Sequence, residues 1–228
     1  MSLFDVADTF LQQSEAVVPQ KTRKQKLKLY CEGLKAKARQ VDFSLQELVT
    51  LENQADATVT STDVNEPSIQ SKVEFYCDSF WAFLYSCLDV LGQVVNQGMK
   101  LGLDEKRVSF KVIKRHLDNN HNGSPEQTAF NECAKCNAFK NLDRYRNCST
   151  HRRQIYVKEE VKLVRHSDGY QTITTGDNVT VERILCDNPL DVRPKTDQKR
   201  RIPQYLQTTR DRVFVIIEQI LNNSTAVQ

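Results

Sequence analysis

Ten residues, Arg144-Tyr145-Arg146-Asn147-Cys148-Ser149-Thr150-His151-Arg152-Arg153, gather four arginines around one histidine. Histidine is the side chain that ordinarily titrates near neutrality, so His151 could move a proton to or from a reacting oxygen. A guanidinium is a permanent, planar cation that grips a phosphate and neutralises charge growing on its oxygens. Arg146 is placed for that task, with the polar Asn147 directly after it. Together such a pair could move a proton and stabilise charge growing at a phosphoryl centre. Arg144, Tyr145, Arg152 and Arg153 are the candidate substrate contacts, Tyr145 as the aromatic platform for a base. The bland alternative is a solvated basic turn at a helix end, with His151 near the C-terminal dipole.

Arg146 and His151 enclose four residues with Asn after the Arg, which is the R-N-x-x-x-H form of an Rx4H motif. In this the chain resembles the HEPN superfamily of small helical proteins, many of which are metal-independent ribonucleases. The resemblance implies catalysis by Arg146, Asn147 and His151, and a homodimer whose two motifs face one composite cleft. It also implies a toxin or defence role, with an antitoxin protein as a partner, and no cofactor. On an ideal helix a five-residue offset turns about 140°. The two motif residues therefore converge only across a helix break or between partner chains.

The elements that must hold the motif follow from apolar spacing. Phe4, at the head of a short amphipathic helix over 4–18, precedes Pro19. From 21 onward Leu27, Tyr30, Cys31, Leu34, Ala38, Val41, Leu45 and Leu48 recur at three and four residues, the period of one buried helix face. The polar stretch 55–68 reads as its exit loop. A second long helix over 69–99 is apolar nearly all round, so other helices should surround it. Within it Ser86, Asp89 and Gln93 share one side. HEPN proteins often carry a polar residue here that faces the motif, and Asp89 is the candidate support for Arg146 or His151; pairing with a neighbouring helix or exposure at a dimer seam is its structural alternative.

A short helix is expected over 106–117, and Ser124-Pro125-Glu126-Gln127 has the make-up of a helix start. Asn141 is the expected break before the motif helix, which should run on to Tyr156. Beyond it the period changes. Residues 157–163, 171–175 and 179–186 are β-prone between turns, suggesting a small antiparallel hairpin or meander inserted at about 155–187. A loop over 187–203 carries Lys199, Arg200 and Arg201, and 207–222 closes the chain as a helix. The expected architecture is one mainly α, HEPN-like helical bundle over 1–228 with that β insertion before the last helix.

Composition narrows the partners. The net charge of +3 is small, but 21–39 carries eight Lys or Arg against Glu32, and 42–78 carries eight acids against Lys72. Basic and acidic faces follow, each more simply a solvated helix face than an RNA track. Seven scattered cysteines fit a reducing compartment, and the acids within the first nineteen residues argue against a signal peptide. A cytoplasmic protein without membrane spans is expected. Cys133 and Cys136 form a CxxC pair without a second pair of ligands at usable spacing, so they read as helix cysteines and no metal is expected. Phosphate-binding glycine loops, HExxH and GxSxG are missing, which removes nucleotide hydrolases, zincins and serine hydrolases. Two readings stand: a HEPN-type endoribonuclease leaving a 2′,3′-cyclic phosphate, or a non-catalytic helical module that binds RNA, nucleotide or a protein.

Overall fold

A computed structural model describes residues 2–17, 21–53, 69–151, 157–163, 179–185, 189 and 200–224. Two long helices, α2 (Lys21–Asn53) and α3 (Ile69–Gly98), lie antiparallel. Arg23 donates to the carbonyls of Gln97 and Gly98, Gly33 lies against Val90, the Lys37 ammonium sits over Phe83, and the Phe43 ring meets Tyr76. The stripe Leu27, Cys31, Leu34, Ala38, Val41, Leu45, Leu48 is buried along this seam, with Tyr30 at its edge. α3 also touches α4, α6 and α7, which explains why nearly its whole circumference is apolar. Phe75, exposed at 63%, and the small Ala82 are its exposed apolar residues.

Helix α1 (Leu3–Val17) starts where Ser2 and Asp5 bond reciprocally, and packs on α2 and α7. After α3, a single 3-10 turn (Glu105–Arg107) and two extended residues precede α4 (Phe110–Asn120). The expected helix from 106 thus begins later, because Ser109 is extended and its hydroxyl accepts the Val112 N–H as N-cap. Helix α5 (Pro125–Lys135) opens on Ser124, whose hydroxyl accepts the Gln127 N–H while the Gln127 side chain accepts from Gly123 N.

The break before the motif helix falls at Cys136, five residues earlier than the Asn141 expected from sequence. Cys136 is extended, ends α5, and its Sγ accepts the Phe139 N–H at 3.3 Å, so a thiol occupies the N-cap position of α6 (Asn137–His151). Asn141 instead lies inside α6 and donates to the Tyr205 hydroxyl at 3.1 Å.

Among the described residues three strands follow, β1 (Val157–Leu163), β2 (Val179–Leu185) and β3 (Arg200–Arg201), antiparallel in the order β1-β2-β3. Val157 pairs with Leu185 and Leu163 with Val179. β1 touches α3, and β2 touches α7. The closing helix α7 (Ile202–Ser224) starts five residues before the expected 207, because Pro203 stands in its first turn, where a missing N–H breaks no helical bond. Val213, Phe214, Ile217, Ile220 and Leu221 are buried as their spacing predicts, and Ile216 is half-buried. Among the described residues, no helix is long and apolar enough to cross a membrane.

Candidate functional site

Helix α6 presents Ala138, Phe139, Leu142, Tyr145 and Cys148 to the core. Phe139 meets Phe110 of α4 with ring centroids 4.9 Å apart, and Phe110 stacks on Phe130 of α5 at the same separation. These rings fix the N-terminus of α4 beside the first turn of α6. Tyr145 is fully buried and stacks on Trp81 of α3, with centroids 4.2 Å apart and planes 2° from parallel. Its expected role as a platform for a base is therefore corrected: both the ring and its face are spent inside the protein. The reason is phase. Tyr145 follows Phe139 and Leu142 at three-residue steps, which keeps it on the buried side of the helix.

One position further on, the chain leaves the core. Arg146 is half-buried, its guanidinium carbon 5.0 Å from the centroid of the Tyr85 ring on α3. That is cation–π distance. Its Nη1 donates to Asn147 Oδ1 at 3.0 Å, so the neighbouring amide holds the fork. Asp89, one turn beyond Tyr85 on α3, accepts the Phe110 N–H at 3.2 Å and so sits at the positive end of α4. Burial raises the Asp89 carboxyl above its ordinary pKa, opposed by that backbone bond and by the charges of Arg146 and Lys111. Desolvation outweighs the combined attraction, so keeping this carboxylate ionised costs the fold energy.

Tyr85 is buried, and its hydroxyl pKa is pushed up to about 12. Burial is the chief cause, followed by the charges of Asp89 and Asp143; Arg146 opposes, and a hydrogen bond to Asp143 adds least. Asp143 in turn accepts from Lys111 Nζ at 2.7 Å, an ion pair that joins α6 to α4. The cluster is thus Tyr85, Asp89, Lys111, Asp143, Arg146 and Asn147, drawn from three helices. Sequence spacing supplied Asp89, Arg146 and Asn147 and missed the other three. Tyr85 and Asp143 had a local signal, since they stand four and three residues before a nominated residue. Nothing local marks Lys111.

The remaining nominated residues divide. Arg144 is exposed on α6. His151 is the last residue of α6, and its side chain lies outside the described residues, as do Arg152 and Arg153 entirely. The backbone settles one matter: α6 is unbroken from Asn137 to His151, so positions 146 and 151 diverge by about 140° around it. Cys133 is buried, which pushes its thiol pKa up, and Cys136 serves the helix junction. Among the described residues, no group of three or more His, Cys, Asp or Glu is arranged to hold a metal.

A family model described as HEPN_Cthe2314-like HEPN matches residues 30–187. The match runs from Tyr30 in α2 through all of α3, α4, α5 and α6 to the end of β2, and so includes the whole cluster. No curated protein and no solved structure matches the chain.

Proposed function

The chain belongs to the HEPN superfamily, and on that premise we propose that it is a metal-independent endoribonuclease acting as a homodimer in the cytoplasm. Arg146 holds the scissile phosphate and stabilises the charge on its equatorial oxygens. His151 takes the proton from the 2′-hydroxyl or gives one to the departing 5′-oxygen, so that the P–O5′ bond breaks as the P–O2′ bond forms and a 2′,3′-cyclic phosphate remains. Asn147 fixes the guanidinium, Asp89 holds the region's charge balance, and Arg144, Arg152 and Arg153 meet flanking phosphates. The strands between α6 and α7 are an insertion on this helical scaffold. A toxin or defence role, with an antitoxin that restrains it, goes with the reading.

The observation that carries it is the setting of Arg146: a guanidinium fastened by Asn147, braced on Tyr85 and placed in the field of the partly buried Asp89. Catalysis by electrostatic preorganisation asks for such a fixed cation. The divergence of positions 146 and 151 on one unbroken helix supports a composite site, in which each chain supplies one member of a pair. A second reading, a module that binds RNA, nucleotide or protein without cleaving, is favoured by the same bonds, since they already occupy part of the guanidinium.

The test is cleavage of end-labelled RNA in excess EDTA by wild type, Arg146→Ala and His151→Ala of matched oligomeric state. Activity lost in both variants, with cyclic-phosphate ends in the wild-type products, is the expected result. Wild-type protein that leaves the RNA intact, or cleavage equal in all three, overturns the nuclease reading and leaves the binding module.

A further inference from the structure

Helices α4 and α6 turn exposed cations outward on either side of the Arg146 cluster. Lys111 and Arg115 stand one turn apart on α4, and Lys140 and Arg144 one turn apart on α6, all four exposed. A four-residue step along a helix is a rise of about 6 Å. The Lys111–Asp143 ion pair stitches the two rows together beside Arg146. Arg115, Lys140 and Arg144 make no ion pair with a described residue, whereas Lys114, next to Arg115, is bound to Asp118 at 2.7 Å. The fold therefore neutralises Lys114 and Lys111 on α4 and leaves Arg115, with Lys140 and Arg144 on α6, unneutralised among the described residues.

What such a strip recognises follows from what it lacks. Among the described residues the large exposed apolar side chains are Leu29, Phe43, Val49, Phe75 and Val215, on α2, α3 and α7 and none on α4 or α6. A protein interface needs an apolar, aromatic-rich centre. A phosphate backbone needs positioned cations and hydrogen-bond donors. Arg146 is half-buried, so the phosphate that reaches it must bend inward, which a single strand does more readily than a duplex.

We propose that Lys111, Arg115, Lys140 and Arg144 form a basic surface beside the Arg146 cluster that binds the phosphates of single-stranded RNA. For its polymer the inference rests on the ribonuclease reading; for its location it rests on the charge and exposure of α4 and α6. Arg115 and Lys140 are the residues that test it, because each is exposed, has no described ion-pair partner and lies outside the cluster.

The experiment is fluorescence anisotropy with a labelled single-stranded RNA oligonucleotide across a salt series. For single strands each phosphate contact contributes a slope of about 0.7 in log K against log salt, or about fivefold in affinity at 0.1 M. Arg115→Gln/Lys140→Gln is expected to bind about 25-fold more weakly, with the slope reduced by about 1.4. Lys21→Gln/Lys28→Gln on α2, which removes the same charge from exposed sites elsewhere, is expected to stay within about twofold of wild type. Equal binding by wild type and the strip variant overturns the binding surface, as does equal weakening by both doubles, or wild type that binds polyglutamate and not RNA. Cleavage in EDTA on the same samples separates the two claims. Wild type that binds through the strip without cutting sinks the nuclease and keeps the binding surface; cutting that the strip variant matches does the reverse.

Discussion

Replacing Tyr145 by alanine distinguishes a core residue from a binding platform, and the two predict different numbers. In the structure the ring is fully buried and stacked on Trp81 at 4.2 Å. Truncating a buried aromatic side chain costs about 3–5 kcal/mol, and loss of a ring–ring contact adds about 0.5–1.5 kcal/mol. A loss near 4 kcal/mol is the working figure. For a domain of this size each kcal/mol displaces the melting temperature by about 2–4 °C, so Tyr145→Ala should melt about 8–16 °C below wild type. Tyr145→Phe keeps the stack and should lose far less. The assay is thermal unfolding by circular dichroism, paired with RNA binding below both transitions. Were Tyr145 instead a surface platform, alanine would cost about 1–3 kcal/mol of RNA affinity per stacked base and leave the melting point in place. A shift under about 2 °C would refute the reasoning, because no buried aromatic is removed so cheaply.

Two further changes probe the contact between α3 and α4. Asp89→Asn keeps an oxygen for the Phe110 N–H but removes the charge. The folded-state pKa of Asp89 is raised, so the folded protein binds more protons than the unfolded chain between the ordinary carboxylate value and the raised one, and stability falls as pH climbs through that window. Asp89→Asn should therefore be the more stable protein at neutral pH, with the gap closing in acid, while any RNA cleavage drops; urea midpoints at neutral and acid pH decide it, and a less stable variant at neutral pH would show that the charge helps the fold. Gly92 is buried against the start of α4, where an added Cβ would lie 3.1 Å from the Ser109 carbonyl carbon and 3.3 Å from Phe110 N, backbone atoms that cannot rotate away. Overpacking of about 1–3 kcal/mol outweighs the gain in helix propensity of about 0.5–1 kcal/mol, so Gly92→Ala should lower the melting temperature, and a rise would mean that α4 has room to retreat.

What sequence spacing reveals here is what a single helix decides for itself. The α2 stripe from Leu27 to Leu48, the limits of α3 within a residue, and the Ser124-Pro125-Gln127 start of α5 all follow from periodicity and capping chemistry along one stretch of chain. The misplaced break shows the limit: Asn141 is a plausible helix breaker by type, but a cysteine sulfur took the capping role at Cys136, and thiols are uncommon there. Tyr145 was legible in phase and misread by association with the arginines around it. Asp89 stood out because a carboxylate in so apolar a helix has to be compensated. Lys111 could not be seen at all, since its tie to Asp143 spans thirty-two residues and depends on how α4 is docked by Phe110, Phe130 and Phe139.

The same docking explains why a carboxylate is kept where burial works against it. A neutral side chain at position 89 would spare the fold the desolvation that raises the Asp89 pKa, yet the chain places an acid there, at the start of α4 and in the field of Arg146. The Phe110 N–H offsets part of the cost but would be satisfied equally by an uncharged oxygen. What an amide could not supply is a negative charge in the field of the Arg146 guanidinium. Stability surrendered at a fixed, solvent-reachable cation is the pattern expected where structure has been shaped by a site's chemistry. The exchange has a measurable sign: Asp89→Asn must gain stability and lose function together.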